Sequence, residues 1–197
     1  MRRMLLALSV LAAATAAAAL AAKDPKTLAL QLSDFPAGTR AGNAYGIKGP
    51  LQSTYTASYE IHPGDIKREE DVTVQVWVAK DAAGAKSIYE DTVTTYTGKG
   101  GPKIGVPPSA YKGEAFMRLP SYGDEQIADY LPIATRPHGQ LIVRKGDVVW
   151  YLVVENCTPL SLSCYGTSRT EAPIGKTVAT AELKKYGPKE KARAGNG

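Results

Sequence analysis

Gly139 to Cys164 reads GQLIVRKGDVVWYLVVENCTPLSLSC. Two apolar runs, Leu141–Val143 and Val148–Val154, flank the polar turn Arg144-Lys145-Gly146-Asp147. This is the pattern of a β-hairpin, because glycine supplies the positive φ that a tight turn needs. In the second run Val148, Trp150, Leu152 and Val154 share one face, and Val149, Tyr151 and Val153 the other. Both faces are apolar, so the strand belongs inside a sheet rather than at its edge. The rest of the chain is read as partners for this hairpin.

The clearest companion is Val72–Val78, with Val72, Val74, Val76 and Val78 on one side and Thr73, Gln75 and Trp77 on the other. Leu51–Ile61 alternates as well: Tyr55, Ala57, Tyr59 and Ile61 form the apolar side of a half-buried strand. The turn at His62-Pro63-Gly64-Asp65 suits an antiparallel pair between these two. Thr39–Pro50 is small and glycine-rich, hence a loop or a weak edge strand. Glu114–Leu119 reads as a short strand. Gln126–Tyr130 is ambiguous between a helical turn and a strand, and Leu131–Thr135 leads through Arg136-Pro137-His138-Gly139 into the hairpin.

Three segments have helical signals. Asp24 can cap and Pro25 can open a short helix to Leu32. Asp81 can cap a helix from Ala82 to about Thr95, with Ala85, Ile88, Tyr89 and Tyr96 at near-helical spacing. Thr177–Tyr186 can close the domain before Gly187-Pro188 stops it. Phe35, in Ser33-Asp34-Phe35-Pro36-Ala37-Gly38, is expected as a buried plug beneath a turn. Strands and helices mix without regular βαβ alternation. The expected class is therefore α+β: a twisted antiparallel sheet of five to seven strands with two or three helices packed on one face.

The organisation expected is a signal peptide over 1–21, a single domain over 22–186 and a basic flexible tail over 187–197. Arg2 and Arg3 precede the apolar Met4–Leu11, and Ala19-Leu20-Ala21 fits small-x-small cleavage. The alternative is an N-terminal anchor, for which the apolar part is short. Losing Arg2 and Arg3 lowers the formal net charge from +5 to +3. So weak a charge on an exported chain speaks against nucleic acid as a partner. The tail residues Lys184, Lys185, Lys189, Lys191 and Arg193 could touch an anionic surface weakly; a solvated terminus is the plainer reading.

Cys157 and Cys164 are the only cysteines. In an exported chain they most simply form one disulfide, worth about 2.5 kcal/mol in the chain-entropy model. No CxxC or HxxxH spacing supports a metal or redox role. No GxSxG or SxxK motif occurs. Gly98-Lys99-Gly100-Gly101 lacks both phosphate-loop spacings. The long stretch Thr97–Gly113 is read as a surface loop with a lid or docking arm as the alternative. Eleven tyrosines against two phenylalanines suit either a binding face or the covering of sheet edges.

The order of Asp34-Phe35-Pro36-Ala37-Gly38, a valine strand, Asp81-Ala82-Ala83-Gly84-Ala85, Gly123-Asp124-Glu125 and Arg144-Lys145-Gly146-Asp147 resembles exported bacterial α+β domains of PsbP/Mog1-like outline. The resemblance spans Leu28 to Val154. It implies a sheet with helices on one face and transfers no catalytic residue.

The function expected is a non-enzymatic binding or accessory module of the bacterial envelope, periplasmic or extracellular. It would be monomeric, without cofactor or metal, and its partner would be a protein or an envelope polymer. The candidate surface is Tyr111, Tyr122, Asp124, Glu125, Arg136 and His138. The alternatives are a small-molecule or wall-polymer binder using tyrosines, and a hydrolase pairing His62 or His138 with Asp124 or Glu125. A hydrolase needs a histidine within reach of its carboxylate. A ligand binder needs a tyrosine-lined pocket. A docking module needs only an exposed apolar patch or sheet edge.

Overall fold

The computed structural model describes residues 23–63, 70–97, 115–131, 138–155 and 174–195. Seven antiparallel strands form one sheet. In chain order they are β1 (Arg40–Lys48), β2 (Gln52–Ile61), β3 (Glu70–Ala79), β4 (Ala115–Phe116), β5 (Glu125–Leu131), β6 (His138–Lys145) and β7 (Val148–Glu155). Their order across the sheet is β1-β2-β3-β7-β6-β5-β4, which puts β7 in the middle. The apolar character of both faces of β7 follows from that position.

The β6–β7 hairpin closes with Lys145 opposite Val148. Gly146 takes φ +60° there, a conformation that costs a residue with a Cβ. β5 completes the pairing on the far side of β6, Ile127 facing Ile142. The ambiguity over Gln126–Tyr130 thus resolves to a strand.

Each face of the sheet holds its own core. Val72, Val74 and Val76 of β3, and Val148, Trp150, Leu152 and Val154 of β7, lie on one face, with Leu141 and Val143 beside them. That face is covered by α1 (Pro25–Leu28) and α3 (Lys176–Gly195). Trp77, Ile142, Val149 and Tyr151 lie on the other, under α2 (Ala82–Thr97). The α+β class holds, but the helices are divided between the two faces rather than gathered on one. A central strand apolar on both sides requires cover on both sides.

The helix caps are those the sequence offers. The Asp24 carboxylate accepts from the Lys26 amide at 3.0 Å, and that of Asp81 from the Gly84 amide at 2.8 Å. α1 is shorter than expected. It ends at Leu28 and the chain extends at Ala29, then forms a 3-10 turn over Leu32–Asp34. Leu28 is buried while Leu32 is 46% exposed, so the two do not share a packed face. Phe35 does sit beneath this turn, its ring 4.4 Å from that of Tyr59 and 5.0 Å from that of Tyr186.

The expected flexible tail is corrected. α3 runs through Gly187-Pro188 to Gly195. Proline inside a helix removes one hydrogen bond and crowds the preceding turn, so tertiary contacts must hold the last two turns. Gly187 lies flat against Tyr122, where a Cβ would stand 2.8 Å from the ring. Fully buried Glu190 accepts the Leu30 amide at 2.8 Å. Arg193 donates to the Asp34 carboxylate at 2.6 Å, and the Lys189 ammonium to the Asp34 carbonyl. The segment after α1 and the end of α3 therefore clasp one another.

Candidate functional site: the open edge of the sheet

Asp124 and Glu125 meet Arg144 at the hairpin end of the sheet. The Arg144 Nε lies 2.5 Å from Glu125 Oε2, and another guanidinium nitrogen lies 3.3 Å from Asp124 Oδ2. The same Asp124 oxygen accepts the Gly146 amide at 2.8 Å. The hydrogen bond to Glu125 strengthens the hold of Arg144 on its proton, raising its pKa. This is a brace that fixes the β6–β7 turn against the start of β5.

His138 is brought to neither carboxylate. It opens β6, opposite Leu131, whereas Glu125 stands opposite Arg144 at the other end of β5. Six residues along a strand span about 20 Å. His62 follows β2 with φ 52°, at the end of the sheet where Ile61 faces Glu70, and is equally far from that turn. The histidine–carboxylate pairs expected of a hydrolase are thus not assembled with Asp124 or Glu125. The strand register sets His138 opposite Glu155, and Glu155 opposite Asp71. The next row holds Asp129, Gln140, Val153 and Thr73.

Gln140, fully buried, donates to the Tyr96 carbonyl at 2.9 Å and accepts from the Tyr151 hydroxyl at 2.8 Å. The Tyr96 and Tyr151 rings stack 4.5 Å apart. This network ties the last turn of α2 to the sheet. The sequence signal for it was slight: one Gln beside an apolar run. Among the described residues, no three metal-ligating side chains gather into a site.

Most of the described tyrosines are buried or half-buried. Tyr122 is buried and packs against Trp150, the rings 6.3 Å apart. Tyr59 donates to the Leu30 carbonyl at 2.6 Å, and burial pushes its phenol up to about 12. Tyr130 donates to the Ile174 carbonyl at 2.7 Å. Tyr122 therefore leaves the candidate surface and serves the core. Tyr111, Arg136, Cys157 and Cys164 lie outside the described residues, as do the leader and residues 98–114. Of the five basic residues expected in the tail, Lys185 pairs with Glu182, Lys191 donates to the Ser121 carbonyl, and Lys189 and Arg193 hold Asp34.

What remains open is β1. All nine of its residues are exposed. It is the outermost strand, so one line of its backbone faces no neighbour among the described strands. Tyr45 and Ile47, 58% and 63% exposed, project from the same face, and Leu51 at the following turn is 72% exposed. These are three of the five large apolar side chains left exposed among the described residues. The opposite face of β1 is nearly bare, with Ala44 and Gly46. A bulge interrupts the pairing between Ala41 and Ala44, and from Ala44 to Lys48 the register with β2 is regular. The sequence allowed a weak edge strand here, but small residues gave no sign that it would be exposed along its whole length.

No family model matches the chain, and no curated protein does. Among solved structures, the chain is similar to the extracellular domain of PknH from Mycobacterium tuberculosis, at 11% identity and a TM-score of 0.44, over 83% of this chain and 94% of that one. A likeness of that size assigns neither fold family nor function. No helix among the described residues is long and apolar enough to cross a membrane.

Proposed function

We propose that the protein is an exported, non-enzymatic docking module of the bacterial envelope, and that β1 receives an extended segment of another protein as an added strand. Export rests on the leader-like residues 1–21. The observation that carries the docking reading is the exposure of all of β1 together with Tyr45 and Ile47 at the sheet edge. An unpaired edge offers backbone donors and acceptors in a row, and strand addition satisfies them while side chains select the partner.

The test is photo-crosslinking in the exporting host from a benzophenone amino acid at Tyr45, with one at exposed Val178 on α3 as the control. The expected result is an adduct specific to position 45. Amide exchange in the purified complex should slow across Arg40–Lys48. An adduct without slowed exchange in β1, or adducts only from Val178, overturns strand addition at this edge.

A further inference from the structure

The edge also indicates what kind of strand it takes, and this inference rests on the docking reading above. Thr39–Leu51 contains Arg40 and Lys48 and no Asp or Glu. Arg40 has a partner, Glu60 at 3.4 Å. Lys48 and exposed Lys80 have no carboxylate partner among the described residues. Lys80 lies at the same end of the sheet, its amide donating to the Leu51 carbonyl at 3.1 Å. One end of the edge is therefore cationic and unpaired.

The middle of the edge is read differently on its two faces. Tyr45 and Ile47 are two positions apart on one face, so an incoming strand that alternates apolar residues can cover them. On the other face Gly46 presents no side chain; a Cβ there would come within 3.2 Å of the Thr54 carbonyl, a tight approach, and 3.5 Å of the Tyr55 ring. That leaves the edge of the half-buried Tyr55 ring open to a large side chain on a neighbouring strand.

A second copy of β1 brings no acidic residue to the cationic end, because Thr39–Leu51 holds no Asp or Glu. Antiparallel self-pairing about Ala44 sets Arg40 of each copy against Lys48 of the other, and like charges directly opposite are unfavourable. We infer that the occupant is an extended segment of a different protein, alternating apolar residues, with one large side chain over Gly46 and acidic residues at the Lys48 end.

The probes are two fluorescent nine-residue peptides of alternating Thr and Val with a central Phe. One ends in two Asp and the other in two Lys, and anisotropy reads their binding to the mature protein. The acidic peptide should bind about fivefold more tightly at low salt, and less so as salt rises. The K48E/K80E protein should reverse the preference. Equal binding of the two peptides overturns the charge assignment and leaves docking at β1 standing. If neither binds, yet the Tyr45 crosslink and β1 protection are found, the partner chemistry is wrong and the docking reading holds. If neither binds and the crosslink also fails, both fall. A dimer by sedimentation whose interface protects β1 makes a second copy the occupant and overturns the inference.

Discussion

Glu190 gives the clasp between the segment after α1 and the end of α3 a pH dependence of definite sign. Its side chain is fully buried, one oxygen accepts the Leu30 amide, and the other has no hydrogen-bond partner among the described residues. Burial pushes its pKa from 4.5 up to about 8; the Leu30 amide and Arg193 pull it down, and Asp34 adds to the rise. Between those two values the folded protein holds a proton that the unfolded chain has released. Stability is then greatest below about pH 4.5 as far as this group is concerned. It falls by about 1.4 kcal/mol for each pH unit up to 8, and is level above that.

Across the window the loss is on the order of 5 kcal/mol, comparable to the whole stability of many domains. The assay is urea unfolding of wild type and Glu190→Gln at pH 5, 6, 7 and 8. Gln keeps the shape and an acceptor for the Leu30 amide but cannot ionise. Its absolute stability shifts because its amide nitrogen meets the same partnerless position, so the slope is the quantity to read. Glu70, also raised to about 7 mainly by burial, contributes to both proteins and cancels in the difference. The Gln variant should lose the steep decline. Parallel pH profiles would refute the reasoning, because they would mean that Glu190 ionises in the folded protein as readily as in the unfolded one.

Three further outcomes follow from the packing. Ending the chain after Tyr186 removes the hydrogen bonds of Glu190 and Arg193 and the seat of Tyr122 on Gly187. The Arg193–Asp34 bond joins charged groups and is worth about 1.5–3 kcal/mol, and the bond of the protonated Glu190 about 0.5–1.5 kcal/mol, so thermal unfolding should drop by many degrees, whereas a loose tail would leave it unchanged. Gly139→Ala would put a Cβ 2.7 Å from that of Ala179 on α3, and should cost about 1–3 kcal/mol in urea unfolding. Tyr151→Phe removes the hydroxyl donated to buried Gln140, and should cost about 1–3 kcal/mol by the same measure.

Much of the sheet was legible because period-two patterning reports directly on burial. The face assignments of Leu51–Ile61, Val72–Val78 and Val148–Val154 match the two cores residue for residue. The division of the helices was missed although its cause lay in the same pattern: Val149, Tyr151 and Trp77 form an apolar face that needs its own cover, and α2 supplies it. What could not be read were long-range choices. Gly187-Pro188 is a sound local stop signal. It is overridden by Leu30 and Asp34, about 160 positions away in sequence, which no local pattern announces. The candidate surface failed for a related reason. Tyrosine serves a core as well as a surface once its hydroxyl has a carbonyl to meet, as in Tyr59 and Tyr130.

The two edges of the sheet are managed differently, and the difference favours selective docking over accident. β4 offers two residues and little to pair with. β1 offers nine, a length that invites indiscriminate pairing unless something restrains it. Two restraints are present: the bulge between Ala41 and Ala44, and the charges of Arg40 and Lys48 at the ends. Neither blocks the regular stretch from Ala44 to Lys48. A protein needing only protection could shorten this strand or bury it beneath α2, which already covers the neighbouring face. Restraints that limit register and charge while leaving five residues open are what a site selecting one kind of strand requires.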